Sequence, residues 1–165
     1  MIVIDNCILS SFSKIKRIEL LKHLKDPHTS PGVIEEVLNS DMDVLIKSIK
    51  YALDNYLMIS SYSYPQEIPD IQDKYPRLSY VDCELILLSK THVCPLLTDD
   101  TDLIAIAADK FDIKVFDLCE FLMAMKNSEV LDLADLNDII HNLERKDHYK
   151  FSKKCLRLLK QDMDE

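Results

Sequence analysis

The order of hydrophobic and polar residues along the chain predicts short buried strands that alternate with amphipathic helices. The first four residues are apolar and stop abruptly at Asp5, as expected for a strand buried on both faces. Three more short strands are predicted at 56–60, 93–98 and 113–116. Because strands and helices alternate up to about residue 125, the pattern favours a parallel sheet with helices on both faces.

Helices are predicted where apolar residues recur at intervals of three or four. Ser30 and Pro31 form a helix-start signal, with Ser at the N-cap and Pro at the first helical position. Residues 26–29 are expected to end the first helix, and residues 61–78 to form a loop or a short turn of helix. The predicted helices are 6–25, 31–40, 41–55, 80–91, 103–110, a helix capped by Asp117 that runs to about Lys126, 133–143 and 148–163.

The predicted fold class is therefore α/β, with a three-layer α/β/α arrangement, a mostly parallel central sheet and additional C-terminal helices. A length of 165 residues suits one domain. We expect the alternating part, residues 1–125, to form the domain, and residues 126–165 to form a helical extension that packs on it.

Composition excludes several classes of protein. The single glycine rules out the glycine-rich loops of Walker A and dinucleotide-binding sites. No apolar run approaches the roughly 20 residues of a membrane span, and no basic leader is present, so a cytoplasmic protein is expected. The five cysteines are widely spaced and form no CxxC pair, which favours reduced thiols in the core over a zinc knuckle or a disulfide framework.

A net charge of −9 argues against a protein that coats nucleic acid passively, because such proteins bind by neutralising phosphates. It does not exclude an enzyme whose carboxylates are partly neutralised by metal ions. The distribution of the acidic residues along the chain is therefore more informative than their number.

Acidic residues follow two of the predicted strands. Asp5 follows the first strand, and Asp99, Asp100 and Asp102 follow the strand at 93–98. In a parallel sheet, the carboxyl ends of the strands line one crevice, so these residues are expected to meet there.

Two further acids can reach that crevice from helices. Asp82 falls in the first turn of its helix, where the backbone N–H groups favour an anion. Glu35 and Glu36 are placed symmetrically about the apolar stripe of the second helix, so helical periodicity cannot choose between them.

Each acid also has a purely structural interpretation. Asp82 forms a capping-box pattern with Ser79, residues 98–100 can be an N-cap cluster, and Glu36 can be a solvated helix residue. The convergence of four carboxylates favours a cation site, because such charges repel one another otherwise. Oxygen ligands without clustered His or Cys select Mg²⁺ or Mn²⁺, which suit phosphoryl transfer.

At this point the sequence resembles the PIN-domain ribonucleases. That family has an Asp that closes the first strand, a Glu in the second helix, an Asp that opens a middle helix, a T-x-D/N group after the fourth strand, and a last strand with its helix. The corresponding segments here are Val3–Asn6, Ser30–Val37, Ser79–Asp82, Leu97–Leu103 and Val115–Leu122.

The resemblance covers about residues 1–125. Over this segment the sequence resembles VapC-type toxin nucleases and related archaeal and bacterial PIN proteins. It implies RNA cleavage that depends on Mg²⁺ or Mn²⁺, frequent homodimers, and either neutralisation by a small antitoxin or a role in RNA processing. Asn6 departs from the Thr or Ser that is common after the first Asp. The resemblance assigns Asp5, Glu36, Asp82 and Asp100 as catalytic acids, and Asp5, Asp82, Asp100 and Asp102 as metal ligands.

Two alternatives remain open at this point. One is a catalytically silent PIN-like module that binds RNA or a protein, with incomplete or salt-bridged acids. The other is a Mg²⁺ phosphatase on a similar sheet, but the usual D-x-D motif is absent because Cys7 stands where the second Asp is needed.

The last predicted helix carries a basic face. If residues 146–160 are helical, the basic side chains fall within one narrow arc. This face is either merely solvated or binds the RNA backbone. The arc contains Lys146, Lys150, Lys153, Lys154, Arg157 and Lys160, of which Lys150, Lys153, Lys154 and Arg157 are the predicted RNA contacts.

Overall fold

The structure, a computed structural model, describes residues 1–160 of the chain. Within this part, five strands form one parallel sheet in the order β3-β2-β1-β4-β5, with helices on both faces. The predicted three-layer α/β/α fold is therefore confirmed. The strands are β1 (Ile2–Ile4), β2 (Pro27–Thr29), β3 (Met58–Ile59), β4 (Leu96–Leu97) and β5 (Val115–Phe116).

Helices α1, α3 and α8 pack together in one layer, whereas α4 and α6 both pack against α5 in the other. No helix within residues 1–160 combines the length and hydrophobicity that a membrane span needs. The helices are α1 (Asn6–Lys14), α2 (Pro31–Leu38), α3 (Asp43–Asn55), α4 (Ile68–Lys74), α5 (Tyr80–His92), α6 (Thr101–Phe111), α7 (Leu118–Asn127), α8 (Leu133–Lys146) and α9 (Lys153–Lys160).

The strand order reverses between β1 and β4. From β1 the chain continues to β2 and β3 on one side, and it then returns to add β4 and β5 on the other side. Ile4 pairs with Leu97, so the two central strands end at the same level of the sheet. Such a reversal leaves a crevice beyond the carboxyl ends of the strands, where ligands bind in open α/β sheets.

Residues 26–29 interrupt the helical segment as predicted, but Pro27–Thr29 also forms β2, a strand that was not predicted. This strand lies between β1 and β3, and Thr29 is fully buried, with its hydroxyl donating to the carbonyl of Ile4 at 2.8 Å. Proline tolerates the first position of a strand. The stretch contains no run of apolar residues, so the hydrophobic pattern does not reveal it.

One of two irregular regions differs from expectation, and the other agrees with it. The helix predicted over 6–25 ends at Lys14, because Lys16 adopts a left-handed conformation (φ 60°), and a separate 3₁₀ helix covers Ile18–His23. The region 61–78 contains a 3₁₀ turn at Pro65–Glu67 and then α4, which agrees with a short turn of helix.

The two C-terminal helices pack on the rest of the fold. Leu136, Ile139 and Leu143 of α8 are fully buried in the common core. The helix predicted over 148–163 begins later than expected, at Lys153, and residues 161–163 lie outside the described residues. The division into a domain of residues 1–125 and an extension of residues 126–165 stays a prediction.

The late start of α9 has a local cause. His148 has a left-handed backbone (φ 55°), and the rings of Tyr149 and Phe151 pack at 4.5 Å between centroids. The hydroxyl of Ser152 then accepts a hydrogen bond from the N–H of Cys155 at 3.0 Å, as an N-cap does.

The prediction that all five cysteines are reduced is also wrong. A disulfide joins Cys119 of α7 to Cys155 of α9, whereas Cys7, Cys83 and Cys94 are free. The pair is 36 residues apart in sequence, but α7 and α9 pack together and bring the Cα atoms to 6.1 Å, within disulfide reach. Spacing in the sequence does not reveal this pairing.

Candidate active site

Asp5 lies at the point where β1 ends and is only 7% exposed. Its Oδ2 accepts hydrogen bonds from the hydroxyl of Thr98 at 2.6 Å and from the thiol of Cys7 at 3.0 Å. Its N–H donates to the carbonyl of Leu97 at 3.1 Å, which continues the pairing of β1 with β4. These contacts fix the carboxylate at the crevice and partly offset the cost of burying it.

Two neighbouring aspartates that follow β4 make different contacts. Asp100 is exposed and caps α6, with its Oδ1 accepting from the N–H of Leu103 at 2.8 Å. Asp99 instead accepts from the N–H of Leu118, at the start of α7, at 3.0 Å. Burial raises the pKa of the Asp99 carboxyl, and the charges of Asp117 and Asp5 add to this effect. Asp99 therefore anchors α7, and Asp100 lies toward the crevice.

Asp82 is half-buried in the first turn of α5. It forms a complete capping box with Ser79: the N–H of Ser79 donates to Asp82 Oδ2 at 2.7 Å, and the N–H of Asp82 donates to the Ser79 hydroxyl at 3.1 Å. Burial nevertheless raises the pKa of Asp82, and the charges of Asp5 and Asp100 raise it further. The capping role and the proximity to the other acids are thus both present.

Glu36 reaches the same crevice from α2. Asn6, which directly follows Asp5, donates its Nδ2 to Glu36 Oε2 at 3.1 Å. Partial burial raises the pKa of Glu36, and the charges of Asp5 and Asp82 add to the shift. Of the two candidates on α2, the structure therefore places Glu36 beside the other acids.

Asp102 has a different neighbour. Its Oδ1 lies 3.1 Å from Nη1 of Arg77, an exposed residue that precedes α5. The structure thus places Asp5, Glu36, Asp82 and Asp100 around one crevice, where their charges affect one another, and it pairs Asp102 with a guanidinium group.

The donor atoms around the crevice are of the kind that hard divalent cations prefer. The acids offer only oxygen ligands, and Asn6 adds a buried Oδ1 that has no hydrogen-bond partner among the described residues. Within residues 1–160, however, no three His, Cys, Asp or Glu side chains are gathered closely enough to hold a metal as they stand. A cation here would have to draw the carboxylates together.

A further acid, Glu84, lies beside these residues and was not predicted from the sequence. This residue is 5% exposed, and its carboxylate accepts three hydrogen bonds: from the Ser30 hydroxyl at 2.9 Å, the Gly32 N–H at 2.8 Å and the Tyr62 hydroxyl at 2.6 Å. One signal was available. The only glycine of the chain lies within a helix, where glycine is unfavourable unless a close contact needs it.

The basic face is smaller than predicted. Lys146 belongs to α8 and Lys150 to the connection before α9, so these two do not share the face of that helix. All six basic residues are exposed. Those on α9 are Lys153, Lys154, Arg157 and Lys160.

Comparison with known proteins gives one informative result. No curated protein matches the chain. A family model described as "DUF3368: PIN domain" matches residues 1–165, which extends beyond the segment that carried the resemblance in the sequence. Because this match spans the whole chain and the parallel α/β/α fold agrees with it, the chain belongs to the PIN-domain family.

Proposed function

We propose that the protein is an endoribonuclease that depends on a divalent metal and hydrolyses phosphodiester bonds of RNA. The observation that carries the proposal is the convergence of four carboxylates where the strand order reverses between β1 and β4. PIN domains are in general nucleases, which supports the reaction class. The acidic crevice repels a phosphate backbone unless a cation intervenes.

The residues of the crevice divide into proposed roles. Asp5, Asp82 and Asp100 are the proposed ligands of Mg²⁺ or Mn²⁺, and Glu36 orients the attacking water. Such an ion, when bound, makes water a better nucleophile at neutral pH and stabilises the leaving oxygen. The unpaired Oδ1 of Asn6 is available to the same ion or to a water. Asp102 is not among the proposed ligands, because its carboxylate forms an ion pair with Arg77.

The basic residues near the C-terminus are proposed to bind the RNA backbone. Lys150, Lys153, Lys154 and Arg157 are exposed and concentrate positive charge in a chain of net charge −9. Opposite charges on the crevice and on this surface suit a substrate that is held at one place and cleaved at another.

The biological setting is a finer proposal. The protein acts either as the toxin of a toxin–antitoxin pair, neutralised by a small antitoxin, or as an RNA-processing nuclease, and it forms a homodimer. A neighbouring gene for a small DNA-binding protein would favour the toxin. Light scattering on the purified chain, whose mass is 19.1 kDa, measures whether the dimer forms.

A silent PIN-like module that binds RNA or a protein is the second candidate. The specific observation in its favour is that capping hydrogen bonds already use Asp82 and Asp100, while no closed metal-binding group exists within residues 1–160. In this case the acids only shape and stabilise the helix ends.

Cleavage of a panel of labelled RNAs tests the proposal. The protein is incubated with Mn²⁺, with Mg²⁺ or with EDTA, beside an Asp5→Asn variant prepared in the same way. We expect cleavage with either metal, none in EDTA, and none by the variant. Equal cleavage by the parent and the variant would indicate a contaminating nuclease, and no cleavage by the parent would support the silent module.

A further inference from the structure

Glu84 is a buried carboxylate that the proposed reaction does not use. Its two oxygens have different partners. Oε2 accepts from the Ser30 hydroxyl and the Gly32 N–H, at the start of α2, and Oε1 accepts from the Tyr62 hydroxyl. Ser30 is also the N-cap of α2, since its hydroxyl accepts from the N–H of Val33. One oxygen of Glu84 therefore holds the first turn of a neighbouring helix.

The Glu84 carboxylate of α5 packs directly against the backbone of α2 at Gly32. A Cβ atom added to Gly32 would lie 2.1 Å from Glu84 Oε2 and 3.0 Å from Cγ2 of Val81, both of which are on α5. Only glycine permits this approach, and position 32 is the one glycine of the chain. The Glu84 carboxylate therefore occupies the space that a side chain at position 32 would need.

The same two helices carry two of the proposed active-site acids. Glu36 lies four residues, about one helical turn, after Gly32 on α2, and Asp82 lies two residues before Glu84 on α5. We propose that Glu84 is a positioning residue, which sets the spacing of Glu36 and Asp82 across the crevice so that both serve one metal site. This inference rests on the proposed function.

The Glu84 carboxylate is the acceptor in each of these contacts. All three partners of Glu84 act as donors: two hydroxyls and one backbone N–H. A glutamine of the same shape can keep its oxygen toward Ser30 and Gly32 if its NH₂ faces the Tyr62 hydroxyl, which then accepts instead of donating. The two contacts to α2 would then be made by a neutral amide oxygen, a weaker acceptor than a carboxylate. Weaker hydrogen bonds to Ser30 and Gly32 hold the first turn of α2 less firmly against α5.

A comparison of Glu84→Gln with the parent tests the positioning role. Mn²⁺ affinity is measured in the absence of RNA by calorimetry and by the electron paramagnetic resonance signal of free Mn²⁺. Steady-state cleavage then gives kcat and KM separately. We expect Mn²⁺ binding to weaken about 10–100-fold, as for other residues that support metal ligands, and kcat to fall with little change in KM for RNA.

Two variants control for a loss of stability alone. Tyr62→Phe removes the donor to Oε1 but leaves both contacts to α2 in place. Asp147→Asn disturbs another part-buried carboxylate, which accepts from Ser11 and Lys14 of α1. Both are expected to lower the melting temperature without changing Mn²⁺ affinity. Gly32→Ala, which alters no charge, is expected to weaken Mn²⁺ binding as Glu84→Gln does.

Hydrogen exchange in EDTA reports on the contact itself. The amides of α2 should exchange faster in Glu84→Gln and at the parent rate in Tyr62→Phe. If Glu84→Gln binds Mn²⁺ and cleaves RNA as the parent does, the positioning role is overturned and the nuclease assignment stands. If the parent neither binds Mn²⁺ nor cleaves RNA, the proposed function fails, and the positioning role fails with it.

Discussion

At the scale of single residues, the surroundings of Asp82 affect its pKa in two opposite directions. The N–H of Ser79 in the capping box favours the charged carboxylate, whereas burial and the charges of Asp5 and Asp100 favour the protonated form. The balance raises its pKa. The carboxylates around the crevice therefore repel one another, and a bound cation would reduce this repulsion.

Replacing Asp82 with Asn should keep the fold but abolish nuclease activity. The amide has nearly the shape of the carboxylate and its oxygen can still accept the capping hydrogen bond, but the metal loses a charged ligand. We expect cleavage to fall by a factor of roughly 10²–10⁴. The measurement is kcat on a labelled RNA, with circular dichroism as the control for folding. A variant as fast as the parent would mean that Asp82 is only a helix cap.

The same variant has an expected pH dependence. A carboxyl whose pKa is raised on folding favours the native state fully below its ordinary range near pH 4, and this contribution is lost as the pH rises through the raised value. Asp82→Asn removes the ionisation. In EDTA, the melting temperature of the variant minus that of the parent should therefore increase from pH 4.5 to pH 7.5. A difference that is constant with pH, or that decreases, would contradict the electrostatic account.

Residue types and positions were enough to find most of the crevice. Asp5 and Asp100 follow from the ends of two strands, and Asp82 from the start of a helix. Glu36 could be separated from Glu35 only by the resemblance, because both flank the same apolar stripe. Glu84 was missed, because a glutamate inside an apolar stretch shows its partners only after α2 and α5 have packed.

At the scale of elements, the sequence predicted a helix start correctly where residues of that element itself specify the start. The start of α2 at Ser30 and Pro31 and the cap of α7 at Asp117 were both predicted and are both present. β2 was not predicted, because its three residues owe their conformation to the strands on each side. The break before α9 depends on the packing of Tyr149 and Phe151, which periodicity does not report.

Neutralising the basic residues around α9 should weaken RNA binding without affecting the metal site. Changing Lys150, Lys153, Lys154 and Arg157 to Gln removes charge from exposed positions, so the fold should be retained. Each lost phosphate contact should flatten the dependence of log K on log salt by about 0.7 for single-stranded RNA. Titrations at several salt concentrations measure this slope.

A matched control exists on another helix. Lys47 and Lys50 of α3 are also exposed, and changing them to Gln should leave RNA affinity unchanged. Turnover at saturating RNA should be nearly unchanged in the α9 variant and in the α3 control, because uniform binding energy affects KM and not kcat. If the α9 variant keeps its affinity and its salt slope, this face is only solvated or contacts another protein.

The disulfide between α7 and α9 should contribute measurably to stability. A cross-link between residues 36 apart lowers the conformational entropy of the unfolded chain. In the chain-entropy treatment this stabilises the folded state by about 3–4 kcal/mol. We expect a reducing agent to lower the melting temperature of the parent, and Cys155→Ser to match the reduced parent. Cys94→Ser, at a free cysteine, should respond to the reductant as the parent does. A parent whose melting temperature is unaffected by reductant would contradict this.

At the scale of the whole molecule, the alternation of strands and helices predicted the parallel layered fold correctly, although it did not supply the order of the strands. The position of β1 beside β4 depends on the return of the chain through α5 to the opposite side of the sheet. That reversal, and not any one motif, brings Asp5 and Asp100 to one crevice. Alternation in the sequence predicts the layers, but only tertiary packing determines which strand ends are neighbours.

Mg²⁺ or Mn²⁺ should raise the melting temperature of the whole domain. The ion binds the native arrangement of acids and relieves their repulsion, whereas the unfolded chain offers no such site. At a concentration 100 times the dissociation constant, the gain is about 2.7 kcal/mol, which corresponds to several degrees for a chain of this length. Differential scanning fluorimetry with metal and with EDTA measures it. No shift at millimolar metal would favour the silent module.

The disulfide also gives the molecule a covalent ring. The segment from Cys119 to Cys155 is closed on itself and contains all of α8 together with the turn at Ser128–Asp132. Cleavage of the backbone within that turn would interrupt the chain without releasing a piece of it, because the bond still joins the two parts. A protein nicked there would migrate as one band on a non-reducing gel and as two fragments once the disulfide is reduced.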